Sequence, residues 1–131
     1  MAQEDKELLI KDLCARLDTN LVCSIYRTDD EGVGYRDEIL HGYCKGDIWY
    51  EFYFREDCSV GIDNVSKIKP YLFPLSSMTE EQCKEYWELE HSGNMEHLSV
   101  PALDWLNKNH FDYRGLIEKG LAIDATGLDV Y

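Results

Sequence analysis

Two hydrophobic rhythms divide this chain. Near its start Leu9, Ile10, Leu13, Cys14 and Leu17 recur at helical spacing, with Glu4, Asp5, Glu7 and Asp12 assigned to the outside. The spacing predicts a helix over residues 3–17, broken by Asp18, Thr19 and Asn20, and its early acids suit the positive end of the helix dipole. From residue 21 the period drops to two, as in a half-buried strand. Leu21, Cys23 and Ile25 alternate with Val22, Ser24 and Tyr26 across residues 21–27. The acidic segment TDDEGVG, residues 28–34, reads as a hairpin loop, and a second strand is expected over 35–44. There Ile39, His41 and Tyr43 fall on one face and Leu40, Gly42 and Cys44 on the other. Lys45 and Gly46 suit a tight turn, because Gly tolerates positive φ. A third strand over 47–55 places Ile48, Tyr50, Phe52 and Phe54 on one face, and Trp49, Glu51, Tyr53 and Arg55 on the other. After a turn at Glu56 and Asp57, residues 58–63 offer a fourth strand.

Beyond residue 65 the grammar changes again. Residues 66–77, SKIKPYLFPLSS, hold Pro70 and Pro74 and predict an extended connector. Its Tyr71, Leu72, Phe73 and Leu75 are too apolar to hang free, so it is expected to lie across the sheet or the later helices. Thr79 with Gln82 three residues on is a capping box opening a helix over 80–90. Cys83, Tyr86, Trp87 and Glu90 give that helix a partly apolar face, and residues 91–98 read as a loop. Ser99 as N-cap and Pro101 in the first turn start another helix, with Leu103, Leu106 and His110 along one line and Trp105 free for a second contact. Asp112 is placed to cap a last helix carrying Tyr113, Leu116 and Ile117, which Gly120 ends as its left-handed residue. Leu121, Ala122 and Ile123 form a short docked segment, and residues 126–131 a loosely ordered tail.

The order of helix, strands, then helices predicts an α+β fold. It has an N-terminal helix, an antiparallel sheet of three to four strands, and two to three short C-terminal helices. The expected organisation is one domain over residues 1–131. Residues 1–65 form helix plus meander, 66–124 connector plus helical segment, and 125–131 the tail.

Composition narrows the function classes. A content of 44% hydrophobic and 12% aromatic residues is that of a folded globule, not a disordered chain. The net charge of −13 repels phosphate backbones and anionic lipid, so direct nucleic-acid and membrane binding are not expected. The five cysteines show no metal-ligand spacing and sit mostly in apolar patterns, which predicts reduced thiols and a cytoplasmic location. The opening MAQEDKELLIKDL lacks the apolar core of a signal peptide, and no run is long enough to span a bilayer.

Two segments carry a family likeness. KPYLFPLSSMTEEQ, residues 69–82, and DWLNKNHFDYRGLIEKGLAID, residues 104–124, resemble paired motifs of small proteins from gut Bacteroides-type bacteria and their phages. The resemblance implies a phage or prophage accessory context. It supplies no activity and no site residue.

Candidate chemistry is sparse. There is no Gly-rich phosphate loop, GxSxG or HExxH. Asp29, Asp30 and Glu31 lack the ligand alternation of a calcium loop, and His91 and His97 match no zinc spacing, so no metal and no cofactor is expected. His110 beside Asp112 or Asp104 would make an acid–base pair, but its position on an apolar line favours a buried, hydrogen-bonded ring. A Cys–His nucleophile would need Cys44 or Cys83 beside His41 or His110.

What remains are binding surfaces. Trp49, Tyr53 and Arg55 share a strand face, Asp29, Asp30 and Glu31 form an acidic tip, and Arg114 is a candidate anion contact. The first reading is a non-catalytic cytoplasmic binding protein, a phage or prophage accessory factor that binds and modulates a host protein such as a defence component. The alternative is a small-ligand binder, for instance a nucleotide-signal sponge acting as a homodimer. An enzyme with an unrecognised site is the third.

Overall fold

The computed structural model of the chain describes residues 2–29, 32–45, 50–54, 58–90 and 100–131, and the side chains of all of these except 27–29, 32, 45, 50, 58 and 100. The first element is helix α1, Gln3–Ala15. Leu9 and Leu13 are fully buried in the main apolar cluster. Asp12, assigned to the outer side by its charge, is also fully buried, as is Arg16. Leu9, Asp12, Leu13 and Arg16 stand at i, i+3, i+4 and i+7, so both charged residues belong to the inward stripe.

Strands β1 (Val22–Asp29), β2 (Gly32–Lys45), β3 (Tyr50–Phe54) and β4 (Cys58–Gly61) form the expected antiparallel meander. Leu21, Cys23 and Ile25 point into the core as the alternation requires. The expected loop at 28–34 is shorter than read. Thr28 pairs with Val33 and Asp29 with Gly32, so the ladder continues to the hairpin tip, whose Asp30 and Glu31 lie outside the described residues.

The face assignment of β2 also changes. Leu40 pairs with Phe54, but Gly42 pairs with Tyr53, so His41 is an extra residue in the strand. A bulge of one residue swaps the faces beyond it. Tyr43 therefore stands opposite Phe52, ring centroids 4.8 Å apart, on the same face as Leu40.

The fourth strand ends at Gly61, and a 3-10 helix, Ile62–Lys67, follows in place of the last expected strand residues. The predicted connector does not lie across a sheet face. Ile68–Pro74 is strand β5 and extends the sheet edge-on, antiparallel to β1 through Ile25↔Ile68 and Cys23↔Pro70. Ile68, Pro70 and Leu72 alternate inward, and the prolines hold an extended backbone.

Helix α2, Glu80–Glu90, and helix α3, Val100–Lys108, follow. The capping box is formed: Thr79 N–H donates to Gln82 Oε1 at 2.9 Å, and Gln82 N–H to Thr79 Oγ1 at 3.1 Å. His91, His97 and Ser99 lie outside the described residues.

The helix expected after Asp112 is instead a set of turns. Gly115 takes φ +74° and releases the chain from helical geometry, while the Asp112 carboxylate still accepts Leu116 N–H at 2.9 Å and Ile117 N–H at 3.0 Å. Gly120, at φ +74°, closes the last turn as read: its N–H reaches Ile117 O, and Leu121 N–H reaches Leu116 O. That bond pair is the Schellman arrangement.

Two short strands, β6 (Phe111–Asp112) and β7 (Ile123–Asp124), pair in parallel with β5. Among the described residues the sheet order is β4-β3-β2-β1-β5-β6, with β7 also on β5. The class is α+β, as expected, with a sheet that is mixed and wider than the predicted meander.

Candidate binding cleft

The most organised polar region lies where α1 ends. The Asp12 carboxylate accepts Arg16 Nε at 3.0 Å, Arg16 Nη2 at 3.2 Å and Arg114 Nη1 at 3.2 Å. Burial pushes the Asp12 pKa up, and the two guanidinium groups pull against it. The Tyr113 ring lies between them, 5.2 Å from Arg16 Cζ and 4.7 Å from Arg114 Cζ, and its hydroxyl donates to Asn107 Oδ1 at 2.7 Å. Arg16 Nη2 also donates to the Phe111 carbonyl at 2.6 Å, tying α1 to β6 across 95 positions of sequence.

Three residues on, Thr19 performs a similar task. Its carbonyl lies 2.8 Å from His110 Nε2. A carbonyl can only accept, so Nε2 carries the proton and Nδ1 of the neutral ring is left as an acceptor. Burial lowers the His110 pKa from 6.5, the Thr19 bond opposes this, and the Arg16 charge adds to the lowering. His110 is not on the helical line drawn for it. Helix α3 stops at Lys108, and His110 adopts φ +62° between helix and strand, with its carbonyl accepting Phe73 N–H at 2.8 Å.

The tail is docked, contrary to expectation. The Asp124 carboxylate accepts the Thr126 hydroxyl and, at 2.9 Å on Oδ1, the Thr126 N–H, and these bonds draw its pKa down. Tyr131 then stacks on His110 with centroids 4.0 Å apart and planes 13° from parallel. Its hydroxyl accepts Val22 N–H at 3.1 Å and donates to Tyr71 O at 2.7 Å. Val22 and Tyr71 would form the next rung after Cys23↔Pro70, so the hydroxyl bridges the two strands where they separate. Enclosure there raises the phenol pKa, although the ring remains 44% exposed.

These contacts frame a cleft of about 430 Å3 lined by Phe73, Phe111, His110 and Tyr131, by Ser77 before α2 and Gln82 in its first turn, and by Lys108, Asn109, Thr126 and Gly127. Volumes of roughly 300–1,000 Å3 with aromatic walls and a few convergent polar groups are typical of small-molecule sites.

The sequence-predicted site residues lie elsewhere. Tyr53 is exposed on β3, and its hydroxyl donates to Glu51 Oε1 at 2.5 Å, a bond that raises its pKa. Strand β5 extends the sheet edge, and on that face of β3 the described residues are Glu51 and Tyr53. Trp49, Arg55, Asp30 and Glu31 lie outside the described residues, and Asp29 ends β1. Arg114 is spent on Asp12 and Tyr113 and is not brought to Tyr53.

The acid–base reading loses its partner: Asp112 serves Leu116 and Ile117, and His110 serves Thr19. Among the described residues no group of three or more His, Cys, Asp or Glu is arranged to hold a metal. Within the same residues no helix is long and apolar enough to cross a membrane. Tyr131 and Phe73 were missed as site residues. The available signal was the one aromatic of the tail, and an apolar Phe between two prolines' reach. Neither names its contact.

No family model, curated protein or solved structure matches this chain.

Proposed function

We propose that the protein is a non-catalytic binding protein whose principal site is the cleft between β5, the start of α2, the end of α3 and Tyr131. The carrying observation is its lining: four aromatic rings, neutral polar groups and one lysine, with no side-chain carboxylate among them. A general acid–base pair needs two titratable groups within hydrogen-bond reach. His110, held by Thr19 and flanked by Tyr131, has no such partner there. A cytoplasmic setting fits the free thiols of Cys14, Cys23, Cys44 and Cys83. The test is native mass spectrometry of the protein purified from its own host background. A co-purifying small molecule lost on Tyr131→Ala supports the cleft reading, and its retention in that variant argues against it.

A second reading is favoured by the β1–β2 arm. Val33 and Tyr35 are each 70% exposed, and Tyr35 packs edge-on against Tyr26 at 5.1 Å. An exposed valine and tyrosine, close in sequence to the acidic run Asp29, Asp30 and Glu31, suit a basic partner protein. With the resemblance to phage-borne proteins, this is an accessory factor that docks on and modulates a host protein. Loss of a co-purifying protein on Tyr35→Ala, with the small-molecule signal intact, would separate this surface from the cleft.

A further inference from the structure

We infer that the cleft takes a planar aromatic ligand carrying a single negative charge, of the size and chemistry of an aromatic monocarboxylate; this rests on the cleft reading above. The walls select planarity. Tyr131 and His110 are already stacked, and Phe73 lies 5.9 Å from Tyr131 and 6.2 Å from Phe111, at tilted angles. Ring pairs favour such offset or inclined arrangements, so a third ring can join the series.

The polar groups select the charge. Gln82 Oε1 is occupied by Thr79 N–H, which leaves the amide nitrogen of Gln82 as a donor. The Thr126 hydroxyl is held by the Asp124 carboxylate, so the charge selection falls to Lys108, an ammonium on an exposed side chain with no ion-pair partner among the described residues. The available acceptors are Asn109 Oδ1, whose amide nitrogen already donates to Trp105 O at 2.9 Å, and His110 Nδ1. Ser77 Oγ donates to Pro74 O. The lining therefore holds one cation and no Asp or Glu side chain, in a chain with 26 acidic residues.

The same surroundings limit the charge to one. Lys108 stands at the carbonyl end of α3, the net charge is −13, and both disfavour a dianion or polyphosphate. A neighbouring depression of similar volume shares Lys108 but is lined by Asp18 and Asp104 and has no aromatic wall. It offers an anion repulsion and no stacking surface.

The experiment compares three probes that share one ring system and differ in charge: indole-3-acetate, indole-3-acetamide and tryptamine. Each is titrated into the full chain at pH 7 and followed by amide and side-chain chemical shifts. The expected order is acetate tightest, then acetamide, then tryptamine, with shifts at His110, Phe111 and Thr126. One exposed charge pair is worth up to about 1 kcal/mol, so acetate should bind about two- to fivefold more tightly than acetamide. Lys108→Gln should erase that preference while leaving Tm unchanged, and Thr126→Trp should block all three by filling the cleft. Equal binding of the three probes at cleft residues, or a preference that survives Lys108→Gln, overturns the charge inference and leaves the cleft reading standing. Absence of cleft shifts with every probe at millimolar concentration overturns both.

Discussion

Asp12 of α1 and Arg16 just past its end take two of the four fully buried positions they share with Leu9 and Leu13, and this costs the core apolar area. The cost is offset only because each charge is met: Asp12 by two guanidinium groups, and Arg16 by Asp12, the Phe111 carbonyl and the Tyr113 ring. Arg16 Nη1 is buried without a protein partner, so the arrangement is incompletely satisfied even as it stands. Asp12→Ala should lower unfolding free energy by about 3–5 kcal/mol, since it strands a buried guanidinium. Asp12→Leu with Arg16→Met should recover much of that loss; urea denaturation of the three proteins measures both. His110 gives a pH prediction. Its folded pKa lies below 6.5, so between those two values the unfolded chain binds more protons than the folded one. This part of the stability is complete above pH 6.5 and declines as pH falls through that window. The urea midpoint should therefore drop less between pH 7.5 and 5.5 in His110→Gln than in the parent.

Helix α2 is the element with the clearest local code and no buried residue. Its capping box is formed, yet none of its residues is buried and Trp87 is 58% exposed. Tyr86 packs against Trp105, centroids 5.9 Å apart, and Trp105 in turn stacks on Phe111. Such an element opens locally without global unfolding. Thr79→Ala removes a cap worth about 1 kcal/mol and should speed amide exchange across 84–90 about fivefold, with little change in Tm. The turn at Gly120 behaves oppositely, because the Leu121 and Ala122 that follow it are buried. Gly120→Ala forces an L side chain into φ +74° and should cost about 1–2 kcal/mol of global stability by urea denaturation.

Across the whole molecule the cysteines report on the packing. Cys23 is fully buried, and burial holds its thiol far above the ordinary value; Cys14 is raised more mildly by the same cause. Cys44 and Cys83 are exposed. Alkylation at pH 8 followed by peptide mapping should label Cys44 and Cys83 first, Cys14 more slowly, and Cys23 only on unfolding. Comparable labelling of Cys23 in the native protein would contradict the placement of β1 at the centre of the sheet. The same long-range view explains the cleft. Its floor, His110 and Phe111, is held by Thr19 and Arg16 from the far end of the chain, and its wall by a hydroxyl wedged between β1 and β5.

The sequence by itself determined what short-range spacing controls. Period 3.6 placed α1, period two placed β1 to β4, and the Thr79–Gln82 pair placed the start of α2 to the residue. Gly120 marked its turn because only glycine takes that φ cheaply. Tertiary structure decided everything that depends on a partner distant in the chain. Hydrophobicity assigned Asp12 outward, and its burial is made tolerable by Arg16 together with Arg114, 102 residues away. The bulge at His41 follows from matching Phe52 and Phe54 to the core, which the alternation of β2 alone does not contain. Residues 68–74 read as extended, but joining the sheet instead of covering it depended on the free edge of β1. The cleft belongs wholly to this second class. Its walls come from five separate parts of the chain, and a contact between parts so far apart leaves no periodicity for a sequence to display.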